Sequence, residues 1–307
     1  GEPIFGTEES LAQLTPQLVE RRRRELLQGR KLVIVAAGNV IPEQVFERAT
    51  KTFGGYPAGE RESYRAEATG HGVSLLPRPF GQVHFVLGQR WAPQSDSRYL
   101  AGMLLATALG DGVSSRLFLK LREESGLLYD IGADTDTYPD TAALTVSGAV
   151  EREKLPQVLE MLLGELDKVR QDLISEDELR RAAALCTAQL EMEHDSVMAR
   201  LWRAVETELI FRRYISAEES IFKINSVSLD TVREVADQFL GRASSPAQPA
   251  DPNSSPSHVP QLLVLTGDVD GLSLSRDVWR ACGGATLDVD AERCFQTSDR
   301  SNNKRGA

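Results

Sequence analysis

Four histidines, His71, His84, His194 and His258, are the first residues to question for metal chemistry. Metal-dependent hydrolysis from a helix needs two imidazoles about one turn apart, with a carboxylate between them to act as base. None of the four stands three to five residues from another. His71 and His258 fall in predicted loops, and His84 alternates on a predicted strand. His194 follows Glu191 and Glu193 near a helix end, where a solvated or capping imidazole is the commoner outcome than a ligand. No zinc site is readable. Cys186, Cys282 and Cys294 are too few and too scattered for a disulfide framework or a cysteine zinc site, which leaves only a Cys282–Cys294 bridge in the tail open. No Gly-x-Ser-x-Gly elbow marks a serine nucleophile.

The chemistry that remains gathers between Leu109 and Ala133, LGDGVSSRLFLKLREESGLLYDIGA. Gly110 and Gly112 bracket Asp111, so the backbone there can take positive φ and approach another chain closely. Ser114 or Ser115 can cap the helix that follows, in which Leu117, Phe118 and Leu121 share a face. Gly126 stops that helix, and the chain resumes in extended form. Arg122 then stands near a helix end and Tyr129 just inside a strand. A guanidinium and a phenol can both donate hydrogen bonds to a peptide carbonyl as charge develops on its oxygen. The residues alone leave a second reading open, with Arg122 paired to Glu123, Glu124 or Asp130 and Tyr129 a half-buried strand aromatic. The cluster Arg21 to Arg24, flanked by Glu20 and Glu25, reads as a solvated helix face rather than an anion site.

The elements that must position these residues fit an ordinary globular chain. At 307 residues, 41% hydrophobic and 26% charged, it has length for two domains. A net charge of −10 argues against nucleic acid as a partner. No run of about 18 apolar residues exists, so no membrane span is predicted. The first residues carry no signal pattern, and the compartment is unknown.

In chain order, Thr7 and Thr15-Pro16 open two helices, and residues 32–37 (LVIVAA) predict a buried strand. Residues 42–53 predict a third helix. A strand is expected over 83–87 and a helix over 96–109, with Tyr99, Leu100, Met103 and Leu104 on one face. Residues 127–138 and 141–150 predict a hairpin turning at Pro139-Asp140. Four helices follow: 154–171, one opened by the capping box at Ser175, 197–211 burying Leu201, Trp202, Val205 and Ile210, and 229–240 after a short segment from Ser216. Residues 242–260 are a Ser/Pro-rich flexible insertion, 261–266 a strand, and the tail is disordered. The plan helix, apolar strand, Gly-Asn-Val (residues 14–40) returns as helix, insertion, apolar strand, Gly-Asp-Val (228–269). That repetition suggests two copies of one α+β domain, the first represented only by its tail.

LGDGVSSRLFLKLREESGLLYDIG resembles the LGGGxSSRLFxxxRExxGLxY segment in the second half of insulinase/pitrilysin-type metallopeptidases. Their processing-peptidase branch carries an inverted H-x-x-E-H zinc motif. GEPIFGTEESLAQLT likewise resembles the GRPILGTEESIxxLT segment of that family's first domain. The resemblance implies a two-domain α+β fold, mainly antiparallel sheet packed on helices, with the first domain incomplete. The expected division is 1–65 as the tail of an amino-terminal domain, 66–82 as linker, 83–280 as the second domain and 281–307 as a tail.

It also implies that the zinc of the complete enzyme is held upstream of the matched segments, so this chain binds no metal and cleaves nothing alone. Arg122 and Tyr129 match the arginine and tyrosine that reach across to a peptide substrate. Gly110, Asp111 and Gly112 match a glycine-rich loop that handles substrate, in which Asp111 departs from a third glycine. The implied partner is the missing catalytic half or a catalytic partner subunit. The alternatives are a non-catalytic subunit and a structural scaffold derived from the same family. An incomplete first domain exposes apolar surface, so a dimer or larger assembly is expected.

Overall fold

Alternating burial builds the sheet. Along Val83–Arg90, Val83, Phe85, Leu87 and Gln89 are buried while His84 and Val86 are exposed, so one face meets the core. The structure is a computed structural model that describes residues 5–60, 72–138, 140–240, 262–276, 278 and 282. The expected insertion at 242–260, most of the tail, His71, His258, Cys294 and Pro139 lie outside the described residues. The chain divides into two units, one that includes residues 1–63 and one made of residues 64–287.

The larger unit holds a five-stranded sheet: β1 (Gly72–Pro77), β2 (Val83–Arg90), β3 (Asp130–Thr137), β4 (Ala142–Val150) and β5 (Leu262–Gly267), in the order β1-β5-β2-β4-β3. β1 runs parallel to β5 and every other pair is antiparallel. The β3–β4 hairpin forms as expected, with Thr137 opposite Ala142. Strand β1 lies inside the segment expected to be linker. Its apolar residues, Val73, Leu75 and Leu76, are few and stop at Pro77, and its partner is Leu262–Gly267, far along the chain.

The helices of this unit are α4 (Tyr99–Gly110), α5 (Leu155–Asp172), α6 (Glu176–His194), α7 (Val197–Phe211), α8 (Ala217–Asn225) and α9 (Leu229–Phe239). α4 packs on β3, α6, α8 and α9. It is buried on almost every side, and of the face expected from its sequence only Leu104 is fully enclosed. α5 behaves as its period requires: Leu155, Val158, Leu159, Leu162, Leu166 and Val169 are all buried, each contributing about 1.5–3 kcal/mol. α7 does not. Leu201, Val205 and Ile210 are only half-buried and Trp202 is exposed; Thr207 alone is buried. Helical period tells which side chains share a face, not whether another element covers it. Cys282 is a free, buried thiol, pushed up to about 12 by burial.

The smaller unit carries α1 (Glu8–Ala12), α2 (Pro16–Leu26) and α3 (Pro42–Phe53), capped at Thr7 and Thr15 as the sequence indicates. Arg21 to Arg24 pair with Glu20 and Glu25 along the exposed surface of α2. Residues 32–37 form no strand. Among the described residues none pairs with them, and an apolar run becomes a strand only beside a hydrogen-bonding neighbour. None of the three helices has a buried residue.

Candidate functional site

Gly110 is the last residue of α4, and it is buried there rather than turned into positive φ. A Cβ at this position would lie 2.3 Å from both the Cβ and the backbone nitrogen of Ala133 on β3. The glycine therefore lets the end of α4 touch the strand directly. Asp111 follows, half-buried, its N–H donating to the Thr107 carbonyl at 3.1 Å. Gly112 is exposed at φ 82°, where any other residue is strained, and its carbonyl accepts from the Ser115 amide at 3.1 Å.

Neither serine caps the next helix. The Ser115 hydroxyl is buried without a hydrogen-bond partner, while its carbonyl accepts from the Leu119 amide. Arg116 instead ties the segment to α6: its Nε and Nη2 donate to the Glu178 carboxylate at 2.8 and 2.7 Å. Glu178 also accepts from the Ser175 amide at 2.8 Å, as half of the capping box that opens α6.

Burial pushes the Glu178 carboxyl up, but Arg116 and the Ser175 amide outweigh it and hold the group below its ordinary 4.5. A carboxylate depressed in the folded state adds stability above pH 4.5 that is lost as pH falls through and below that value. Glu178→Gln should therefore cost about 1.5–3 kcal/mol at neutral pH. In urea melts, the gap between variant and parent should close as pH falls below 4.5.

Phe118–Glu124 is a π-helix, not the α-helix its apolar spacing predicts. Its i→i+5 bonding widens the turn, and such segments are rare. Leu117, Phe118 and Leu121 are buried as the sequence indicates. One turn above Phe118 stands Arg122. Its guanidinium lies 4.5 Å from the centre of the Phe118 ring and 4.8 Å from that of Tyr129. The cation is thus held between two aromatic rings, an arrangement that fixes its direction and leaves its N–H groups available. Its carboxylate neighbour is Glu123, at 3.7 Å, beyond a hydrogen bond. Gly126, at φ 61°, ends the turn with its N–H on the Arg122 carbonyl at 3.0 Å. Tyr129 sits just ahead of β3 rather than within it, and is 80% exposed.

The structure thus joins Arg122 to Tyr129 and adds Phe118, which the sequence assigns only to an apolar helix face with Leu117 and Leu121. The usable signal was an aromatic four residues before an arginine on one helix. Gly110 joins the packing of α4, and Asp111 and Gly112 form the turn beside it. Among the described residues no group of three or more His, Cys, Asp or Glu side chains could hold a metal ion. No helix among them is long and apolar enough to cross a membrane.

A family model described as the peptidase M16 inactive domain matches residues 13–186, more than half of the chain. The chain belongs to the peptidase M16 family. An uncharacterized zinc protease of Streptomyces coelicolor is 31% identical over 254 residues, which cover 80% of this M16 chain and 55% of that protein. The chain spans little more than half the length of the curated relatives it matches. The crystal structure of a peptidase M16 inactive domain from Pseudomonas fluorescens superposes with a TM-score of 0.69 at 15% identity, covering 85% of this chain and 60% of that one. A chain of Complex III2 from Candida albicans superposes with a TM-score of 0.73 at 17% identity, over 93% and 66% of the two chains. The M16 chain accordingly has the α+β fold of this family, with helices packed on a mainly antiparallel sheet.

Proposed function

We propose that this M16 chain is the substrate-positioning part of a zinc-dependent endopeptidase, with the metal held on a catalytic half or partner subunit. The described residues do not fit a zinc site, so no step through the metal is derived from them. What the chain contributes is donors. Arg122 and the Tyr129 hydroxyl bind a peptide carbonyl and stabilise the negative charge that develops on its oxygen during attack. The observation that carries this reading is the Phe118–Arg122–Tyr129 stack. It spends packing on a guanidinium while leaving the phenol almost wholly open to an incoming ligand.

Gly112 and Asp111 form the neighbouring loop that meets the rest of the peptide. The test combines the purified chain with a candidate catalytic M16 polypeptide carrying H-x-x-E-H, and follows cleavage of a fluorogenic peptide. Chelator-sensitive cleavage that needs both components is expected. Equal cleavage without this chain overturns the proposal. Stable association with no peptide binding points instead to a scaffold.

A further inference from the structure

Behind the Gly110–Asp111–Gly112 turn, a cavity of about 250 Å³ opens between the end of α4 and α6. Thr107, Asp111, Ser114, Ser115, Glu178 and Arg181 supply its polar wall. This volume lies below the range for drug-sized ligands, so the occupant is small. Its charges narrow the chemistry. Glu178 is already committed to Arg116, whereas Asp111 and Arg181 have no ion-pair partner among the described residues.

Asp111 stands at the carboxy-terminal end of the 12-residue α4, against the negative pole of the helix. A carboxylate is unfavourable there until a cation joins it. Its field is also felt at Cys186, whose thiol is pushed up by burial first and by Asp111 in addition. Arg181 shares the cavity-facing side of α6 with Glu178, Ala182 and Leu185, at spacings of three and four. A guanidinium in that position is a fork for a carboxylate. Ser115, 3% exposed, leaves its hydroxyl without a partner at the same wall, an unmet hydrogen bond that a polar ligand would satisfy. Arg181 disfavours a bare metal cation, and Asp111 disfavours a phosphate or another simple anion.

We propose that this cavity binds a small ammonium–carboxylate zwitterion, a free amino acid or a dipeptide, with the α-ammonium at Asp111 and the α-carboxylate at Arg181. The site is complete within this chain and stands whether or not the cleavage reading does.

The test is titration of the full chain, followed by amide chemical shifts, with L-alanine, Ala-Ala, N-acetylalanine and alaninamide. Saturable shifts confined to residues around Asp111, Ser115 and Arg181 are expected for alanine or Ala-Ala, and the tighter of the two identifies the source. Blocking either charge should weaken binding roughly tenfold or more. Asp111→Asn should remove the discrimination against N-acetylalanine, and Arg181→Gln that against alaninamide. Absence of saturable shifts at millimolar zwitterion overturns the proposal, as do blocked analogues that bind equally well to the unaltered chain. Failure of the reconstituted peptidase assay would leave these shifts unchanged.

Discussion

Tyr129→Phe should lower kcat of the reconstituted peptidase by about 10²–10³, the usual cost of removing one donor to a developing oxyanion. KM should change little, because the ground-state carbonyl carries less charge than the transition state and gains less from the same hydrogen bond. Phenylalanine keeps the ring beside the Arg122 guanidinium, so the stack survives and only the hydroxyl is lost. The competing view of Tyr129 as a surface aromatic predicts almost nothing. A residue 80% exposed with no catalytic duty tolerates substitution within about 0.5 kcal/mol. Steady-state kinetics with one fluorogenic peptide separate these outcomes. Unchanged stability in urea with a large fall in kcat is the expected combination.

Gly110→Ala should destabilise the chain strongly through one added methyl group. The new Cβ would sit 2.3 Å from the Ala133 nitrogen and 2.8 Å from its Cα. Those are strand backbone atoms, held in register by β4 through the Ala133–Val146 pairing, and they cannot swing aside as a side chain would. α4 must lift off β3, which opens packing around Leu105 and Leu109, both fully buried. A loss of about 3 kcal/mol is expected, at the upper end of ordinary overpacking. Thermal unfolding of the two proteins measures it. Adding Ala133→Gly to the variant should restore only part of the loss, since the backbone contact at 2.3 Å remains. Full restoration would show that the side chain alone was in the way.

Legibility in the sequence followed the range of the interaction. Caps at Thr7, Thr15 and Ser175 are decided within three residues and are legible, as is the six-residue apolar face of α5, whereas Ser216, which caps α8, reads only as the start of a short segment. Strands depend on partners. Residues 32–37 have the composition of a strand and no strand partner among the described residues, whereas β1 looks like linker and is made a strand by β5. Trp202 sits at a helical spacing that promises burial, yet it is 57% exposed.

The candidate site was legible in its members and not in their arrangement. Motif likeness brought out Arg122 and Tyr129. The π-turn that carries Phe118 and Arg122 was not legible, because a spacing of three and four does not distinguish it from an α-turn. Gly110 shows the same limit, because a close helix–strand crossing and a positive-φ turn ask for the same residue.

The single-turnover cleavage rate in a double-mutant cycle of Arg122→Gln and Tyr129→Phe tests the central claim most directly. If the two side chains serve one carbonyl oxygen as a unit, the double variant should be little slower than the slower single variant. Losses that multiply, or single variants that cleave at the parent rate, would contradict it.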